Sequence, residues 1–317
     1  MPVGLAEPRF APNFRRDYNP ANRTRSVMIP NSLNVLRTLV VTAADEDFAG
    51  LLRGLVESLH HWEPRPYSAL ACFDLGLARA TRDWIAQRAA HVIEPGWDLP
   101  VHEALRRTQP HLRALTVRPF LRRYLLGYDV YLWIDSDAWV QERSAIEAYF
   151  ANASDGSIAV ASHDHPAYRH SSGLADRRIG HLRAYFGTDA GAALSCATYW
   201  NAGVFALGAE APHWDKWSQY FAQGLAATTG KLCNDQTALN HAITVERLPV
   251  AALPARCNWL CHLALPAFDE HHSRFCDPLD HQTTLGILHL TASTKNLTVR
   301  LRGDELGRTR NLRYPAG

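Results

Sequence analysis

Residues 128–137 read Tyr128-Asp129-Val130-Tyr131-Leu132-Trp133-Ile134-Asp135-Ser136-Asp137. The apolar run up to Ile134 predicts a buried strand, and two carboxylates follow it directly. Carboxylate oxygens at one strand end suit a divalent cation such as Mg²⁺ or Mn²⁺. An Asx turn that closes the strand is the plainer alternative, although it accounts for one aspartate and not for both.

The residues before this stretch alternate between predicted strands and helices. The apolar patterns predict strands over 35–41, 68–73, 91–93 and 128–134, and helices over 48–60, 78–88 and 110–126. This alternation is typical of an α/β fold, in which a mostly parallel sheet is flanked by helices. Ligands bind such sheets beyond the carboxyl ends of the strands. The less regular second half carries predicted strands near 157–161, 203–207 and 286–290.

Composition limits the class of protein. The chain has 317 residues, 47% of them hydrophobic, and 33 basic against 31 acidic side chains give a net charge of +2. These values exclude disorder as the main state, and the charge balance excludes a general nucleic-acid binder. Residues 1–33 predict an irregular arm without an apolar leader. The six cysteines favour a reducing compartment, so we expect a cytoplasmic protein.

The segment Tyr131-Leu132-Trp133-Ile134-Asp135-Ser136-Asp137-Ala138-Trp139-Val140 resembles the D-x-D region of GT-A glycosyltransferases, in particular the retaining family 8. The resemblance implies the GT-A nucleotide-diphospho-sugar transferase fold. It also implies one catalytic domain over 34–299, with a nucleotide-binding half (34–140), an acceptor-side half (141–299) and a basic tail over 300–317.

Several short motifs follow in the family's order, and the resemblance gives each a role. The nucleotide-side residues are Ala43, Asp45, Asp47 and Phe48 of the first-strand loop, Arg118, and Ser136 within the D-x-D motif. Asp45 would face a uracil edge, Phe48 would pack near the base, and Arg118 would bind the donor.

The sugar-side motifs lie in the second half. Asn201-Ala202-Gly203 would approach the donor sugar, Asp235 would hold sugar hydroxyls, and Gln236 would lie beneath the anomeric carbon. His289 would join Asp135 and Asp137 as a ligand of Mn²⁺ or Mg²⁺, and Lys295 would contact the diphosphate.

The chain departs from the family pattern at a few positions. Ala292 replaces a glycine and Asn296-Leu297 replaces Pro-Trp, which affects the loop over the diphosphate. Thr237 replaces a second sugar-facing aspartate, which leaves the donor sugar open.

Each motif also has a plainer explanation. Asp235 and Gln236 could cap a helix, Asn201-Ala202-Gly203 could form a turn, and His289 could be a hydrogen-bonded core histidine. A group of cysteines and histidines could bind zinc, or its members could be buried or scattered residues without a metal. The group consists of Cys257, Cys261, His262, His271, His272, Cys276 and His281. The tryptophans could form a sugar platform or pack in the core. The basic tail could contact anionic lipid at a membrane periphery or remain solvated.

The expected function is therefore a metal-dependent transferase. It would move a hexose from a nucleotide-sugar, with a UDP-sugar as the expected donor, to a glycan, lipid-linked or protein acceptor, with retention and with no nucleic-acid partner. The alternatives are a sugar nucleotidyltransferase, which also uses an acidic pair, and a catalytically silent nucleotide-sugar-binding module.

Overall fold

A seven-stranded sheet organises the chain in a computed structural model that describes residues 36–153, 156–168, 172–194, 197–300 and 308–315. The strands are β1 (Thr38–Ala44), β2 (Ala69–Asp74), β3 (His91–Ile93), β4 (Val130–Ile134), β5 (Ala138–Val140), β6 (Ile158–Ser162), β7 (Trp200–Gly208), β8 (Val250–Leu253), β9 (Trp259–Leu260), β10 (Ala267–Asp269), β11 (Arg274–Cys276), β12 (Ile287–His289), β13 (Thr298–Arg300) and β14 (Thr309–Asn311). The predicted arm over 1–33 lies outside the described residues.

Helices cover the sheet and fill the connections between its strands. They are α1 (Ala49–His60), α2 (Arg79–Ala86), α3 (Glu103–Thr108), α4 (Arg113–Val117), α5 (Leu121–Tyr124), α6 (Arg143–Ala153), α7 (Ser172–Phe186), α8 (Thr188–Leu194), α9 (His213–Ala227) and α10 (Asp235–Glu246). In the described residues no helix combines the length and the apolar character needed to cross a membrane.

The main sheet has the strand order β3-β2-β1-β4-β7-β6-β8. Only β7 runs against its neighbours, because it pairs antiparallel with both β4 and β6. The remaining pairs are parallel. The predicted mixed, mostly parallel sheet flanked by helices is therefore confirmed.

Several of the predicted elements have different bounds, and for two of them the cause is visible. The strand predicted over 35–41 begins at Thr38 and continues to Ala44, because Ala43 and Ala44 pair in register with Phe73 and Asp74 of β2. The helix predicted over 110–126 is divided into short 3₁₀ and α segments, one of them Arg118–Phe120. Pro119 lies at that division and offers no backbone N–H to continue a helical ladder.

A second sheet lies outside the main one, in the order β5-β12-β9. The strand predicted near 286–290 is β12 of this sheet, and β5 was not predicted at all. β12 pairs antiparallel with β5, so that His289 lies opposite Ala138. This pairing brings residue 289 beside the end of β4.

Apolar side chains pack on both faces of the main sheet. One face carries Trp133, Trp214 and Trp217 with Phe205 and Phe221, and the other carries Leu52 and Leu55 of α1 with Ile134 and Ile146. Trp133, Trp214, Trp217 and Trp259 are fully buried. These four tryptophans therefore belong to the core and form no open sugar platform.

The described part of the predicted tail, residues 308–315, packs on the domain. β14 pairs antiparallel with β13, and the Trp139 indole N–H donates to the Leu312 carbonyl at 2.8 Å. The Arg313 Nε donates to the Lys295 carbonyl at 2.7 Å. The C-terminal segment thus braces the loop that carries Lys295.

Candidate functional site: an acidic metal-ligand group between two cavities

Three strands deliver the site to one edge of the main sheet. β1 and β4 are parallel, so both end at this edge, and Asp45 and Asp135 follow their last residues. β7 is antiparallel and therefore begins at the same edge. The Asp135 N–H donates to the Gly203 carbonyl at 2.8 Å, which links the two motifs directly.

Asp135, Asp137 and His289 converge at this edge. One ligand atom from each of the three residues lies within 4.8 Å of the other two. The His289 Nε2 is 3.1 Å from Asp137 Oδ1 and 3.7 Å from Asp135 Oδ2. Two carboxylates and one imidazole form a donor set suited to Mn²⁺ or Mg²⁺, so these residues fit a divalent cation.

Pairing with β5 and an amide hold His289 in place. The Leu290 N–H donates to the Asp137 carbonyl at 2.8 Å, next to the β5–β12 pairing. The His289 Nδ1 lies 3.0 Å from Asn258 Oδ1. Because an amide oxygen only accepts, Nδ1 donates this hydrogen bond, and Nε2 faces the two carboxylates.

The shape of the chain at Gly203 leaves room for this arrangement. A Cβ atom at residue 203 would lie 2.3 Å from His289 Cε1 and 2.7 Å from Asp135 Oδ2. Both distances are shorter than van der Waals contact, so only glycine lets β7 pass this close to the two side chains.

Positive groups surround Asp137. Lys295 Nζ lies 2.7 Å from Asp137 Oδ2 and 5.5 Å from the centre of the Phe48 ring. Burial opposes ionisation of this carboxyl, but His289 and Lys295 outweigh it and lower the pKa of Asp137 to about 2. Asp137 is therefore ionised at neutral pH and ready to bind a cation.

Arg118 joins two carboxylates from distant parts of the chain. Its buried guanidinium pairs with Asp135 on one side and with Asp235 Oδ2 at 2.9 Å on the other. The Trp133 indole N–H also donates to Asp135 Oδ1, at 2.8 Å. Burial raises the pKa of Asp235, and the charge of Arg118 opposes that rise. The guanidinium thus sets the position of Asp135 and neutralises Asp235.

The sugar-side motifs lie next to each other. The Gln236 Oε1 accepts from the Ala202 N–H at 2.9 Å, and the Asn201 Oδ1 accepts from the Gly203 N–H at 2.9 Å. Asn234, and not Asp235, is the N-cap of α10, because its side chain accepts from the Thr237 N–H. The capping explanation therefore accounts for Asn234 and leaves Asp235 and Gln236 to other contacts.

A cavity of about 310 Å³, here called the acidic cavity, opens between the ends of β1 and β4. It is lined by Ala43, Ala44, Asp45, Phe48, Leu75, His111, Leu112, Ala114, Leu115, Trp133, Asp135, Ser136 and Asp137. Most of the lining residues are apolar, and Asp45, Asp135 and Asp137 contribute three carboxylates. Asp47 is exposed and is not among its lining residues.

A second cavity of about 310 Å³, here called the basic cavity, lies on the sugar side. It is lined by His163, Leu174, Ala175, Arg177, Arg178, His181, Tyr199, Asn201, Asn234, Gln236, His262 and Leu263. Asn201 and Gln236 belong to the predicted motifs, and they place this cavity beside the metal-ligand group.

Sequence reasoning missed several of these residues. Asn258 is a single buried polar residue in an apolar run, which was the only signal for its contact with His289. Arg177 and Arg178 look in the sequence like an ordinary solvated helix face. The possible zinc cluster is not assembled, since the described residues contain one metal-ligand group of this kind and it is Asp135, Asp137 and His289.

The fold is that of the GT-A glycosyltransferases, as the sequence resemblance predicted. The chain is similar to the galactosyltransferase LgtC in complex with donor and acceptor sugar analogues, with a TM-score of 0.50, 18% identity, and 81% of this chain and 88% of that chain covered. An active-site mutant of LgtC matches with a TM-score of 0.51 and 18% identity over 80% of this chain and 87% of that one.

The bifunctional glycosyltransferase WbbM, in its apo form, matches with a TM-score of 0.51 and 12% identity. That match covers 83% of this chain and 47% of WbbM. Neither a family description nor a curated protein matches the sequence. At these identities the likeness establishes the shared fold, and the activity must be argued from the site.

Proposed function

We propose that the protein is a divalent-metal-dependent glycosyltransferase that uses a nucleoside diphosphate sugar, with a UDP-sugar as the donor. The observation that carries this proposal is the convergence of Asp135, Asp137 and His289 at the mouth of the acidic cavity. A diphosphate would be repelled by the carboxylates unless a cation stood between them. Mn²⁺ or Mg²⁺ held by these three residues would neutralise the diphosphate and act as a Lewis acid on the leaving group.

The acidic cavity suits the nucleotide. Its apolar walls can pack on a base, with Phe48 on one side, while Asp45 offers a carboxylate to base N–H groups. Asp45 is held in place because its side chain accepts from the Phe48 N–H at 3.2 Å. The resemblance to family 8 supports uracil as the base.

Lys295 would stabilise the leaving diphosphate. Its ammonium group is within reach of both Asp137 and the Phe48 ring, between the ligand group and the base side of the cavity. A fixed positive charge at this place lowers the cost of the negative charge that develops on the diphosphate. The C-terminal segment holds the Lys295 carbonyl through Arg313.

The transferred sugar would lie between the two cavities, over Asn201, Gly203 and Gln236. The acceptor hydroxyl, bound on the basic-cavity side, would attack the anomeric carbon as the bond to the diphosphate oxygen breaks, and its proton would pass to that leaving oxygen. The amide of Gln236 is a weak base, so it serves as a polar neighbour of the developing oxocarbenium. The resemblance to family 8 supports retention at the anomeric carbon.

UDP release from a panel of UDP-sugars, with Mn²⁺ and then with EDTA, tests this function. We expect slow metal-dependent UDP release from one sugar without acceptor, and faster release with the right acceptor. Pyrophosphate as the product would instead indicate a nucleotidyltransferase. UDP binding without any turnover, across a panel of acceptors, would indicate a silent binding module.

A further inference from the structure

The basic cavity has an unusual balance of charge. Arg177, Arg178 and His181 reach it from α7, while His163 and His262 reach it from the loops after β6 and β9. The described lining residues include no carboxylate. An open cavity with two permanent positive charges and no acid among these residues favours a ligand that brings negative charge.

Arg177 and Arg178 lie in the cavity without an acidic partner in the part of the chain that the structure describes. Among the described residues, no carboxylate lies within ion-pair distance of Arg177 or Arg178, whereas Arg118 and Lys295 are both paired. The Arg178 guanidinium stacks on the Tyr199 ring, with its Cζ 4.4 Å from the ring centre. Such stacking fixes the plane of the guanidinium and leaves its edge N–H groups able to bind an oxyanion.

His181 adds a neutral hydrogen-bond donor to the lining of the basic cavity. Burial and the charge of Arg177 lower the pKa of His181, so the imidazole is neutral at pH 7. The Asn234 side-chain N–H donates to its Nδ1 at 2.9 Å, which leaves the proton on Nε2. The imidazole therefore contributes an N–H donor without contributing charge.

The basic cavity adjoins the proposed reaction centre. Asn201 and Gln236 line it, and the position of a Cβ atom at residue 203 would be 2.9 Å from Asn201 Oδ1 and 2.7 Å from Asp135 Oδ2. Asn201 thus lines the cavity and also contacts Gly203, which lies next to Asp135. This is the place for the acceptor, since the acidic cavity takes the nucleotide.

We propose, on the basis of the proposed transfer reaction, that the acceptor is a sugar or glycan bearing an anionic group, phosphate or carboxylate, which binds Arg177 and Arg178. Guanidinium groups bind both oxyanions through paired N–H···O contacts. The negative charge of the acceptor would thus bind arginine directly, whereas the negative charge of the donor would bind through a cation.

Calorimetric titration of three matched sugars into the protein tests this proposal. Glucose 6-phosphate, glucuronic acid and glucose are titrated into protein saturated with UDP and Mn²⁺, and into protein without UDP. We expect at least one charged sugar to bind about tenfold or more tightly than glucose. The tighter of the two charged sugars identifies the anionic group.

Variants on α7 link any preference to the two arginines. The double variant Arg177→Gln/Arg178→Gln should lose the preference, whereas Arg177→Lys/Arg178→Lys should keep most of it. Arg183→Gln is the matched control, because Arg183 lies exposed on the same helix outside the cavity. Equal binding of all three sugars, or a preference that survives in the double glutamine variant, would overturn the proposal.

The UDP titration in the same samples separates this proposal from the proposed function. Failure of UDP to bind with Mn²⁺ would count against the transferase function, whatever the sugars do. Normal UDP binding without any preference for a charged sugar would count against the anionic acceptor alone.

Discussion

The acidic and basic cavities have the same volume of about 310 Å³ and opposite charge. Asp45, Asp135 and Asp137 line the first, whereas Arg177 and Arg178 line the second. Under the proposed function, an anion would enter the first with a cation as a bridge and Lys295 beside it, whereas it would bind the arginines of the second directly. One edge of the sheet thus presents two cavities of opposite side-chain charge, with Gly203 and Asn201 between them.

The largest effect should come from Asp137→Ala. Removal of this carboxylate takes away a metal ligand and the partner of Lys295, so UDP release should fall by about a thousandfold or more while the fold remains intact. A coupled assay of UDP release measures the loss, and circular dichroism checks the fold. Asp83→Ala, at an exposed position on α2, is the control. Near-normal turnover in a folded Asp137→Ala protein would contradict the metal assignment.

Arg118→Gln should lower the stability of the fold, because Arg118 joins Asp135 and Asp235 in a buried ion-pair network. The substitution leaves Asp135 and Asp235 close together without their shared cation, so the free energy of unfolding should fall by about 3–5 kcal/mol. Urea denaturation measures it. Arg122→Gln is the matched control, because Arg122 pairs with the exposed Asp215 and should cost less than about 1 kcal/mol. Equal losses of the free energy of unfolding in the two variants would show that the buried network stabilises the fold no more than the exposed ion pair does.

Asn258→Ala should weaken the binding of the divalent cation. Without its amide oxygen, the tautomer and orientation of His289 are no longer fixed, so the affinity for Mn²⁺ should drop by about 10- to 100-fold. Titration of Mn²⁺ in the presence of UDP measures this change. Asn152→Ala, at an exposed helix position, is the control. An unchanged Mn²⁺ affinity would mean that His289 needs no such partner.

A smaller effect sets the pH range in which the cavities can be compared. Burial lowers the pKa of His213 to about 4, and its Nε2 donates to the Pro249 carbonyl at 2.9 Å. Because the unfolded state binds this proton first, stability is complete above pH 6.5 and is lost as the pH falls from 6.5 towards 4. At pH 5.5 the loss should be about 1 kcal/mol. The melting temperature of the wild type should therefore fall more steeply than that of His213→Gln as the pH falls across this range. The same pH dependence in both proteins would contradict this role of His213.

The first half of the fold could be predicted from the sequence because its signals are local. β4 is an apolar run that ends in two aspartates, and α1 shows its apolar face in Leu51, Leu52 and Leu55. The prediction of one continuous helix over 110–126 was wrong, because Pro119 divides the segment. Apolar periodicity gives no sign of such a division. Local patterns thus predict which segments fold, and less well where they stop.

The sequence predicted only those site residues that belong to a motif of the family that the chain resembles. Asp137 and His289 are 152 residues apart, and their contact depends on the pairing of β5 with β12, a strand pair that no local pattern indicated. The resemblance to family 8 supplied His289 for that reason. Asn258, Arg177 and Arg178 had no motif, and only the folded chain places Asn258 against His289 and the two arginines in the lining of the basic cavity.

The most direct test of the account is the affinity for UDP with Mn²⁺ and with EDTA, measured by calorimetry in wild type and in Asp137→Ala. We expect UDP binding that requires Mn²⁺ in wild type and is lost in the variant, because Asp135 and Asp137 would repel a diphosphate unless a cation stood between them. UDP binding of equal strength with EDTA, or in Asp137→Ala with Mn²⁺, would contradict it.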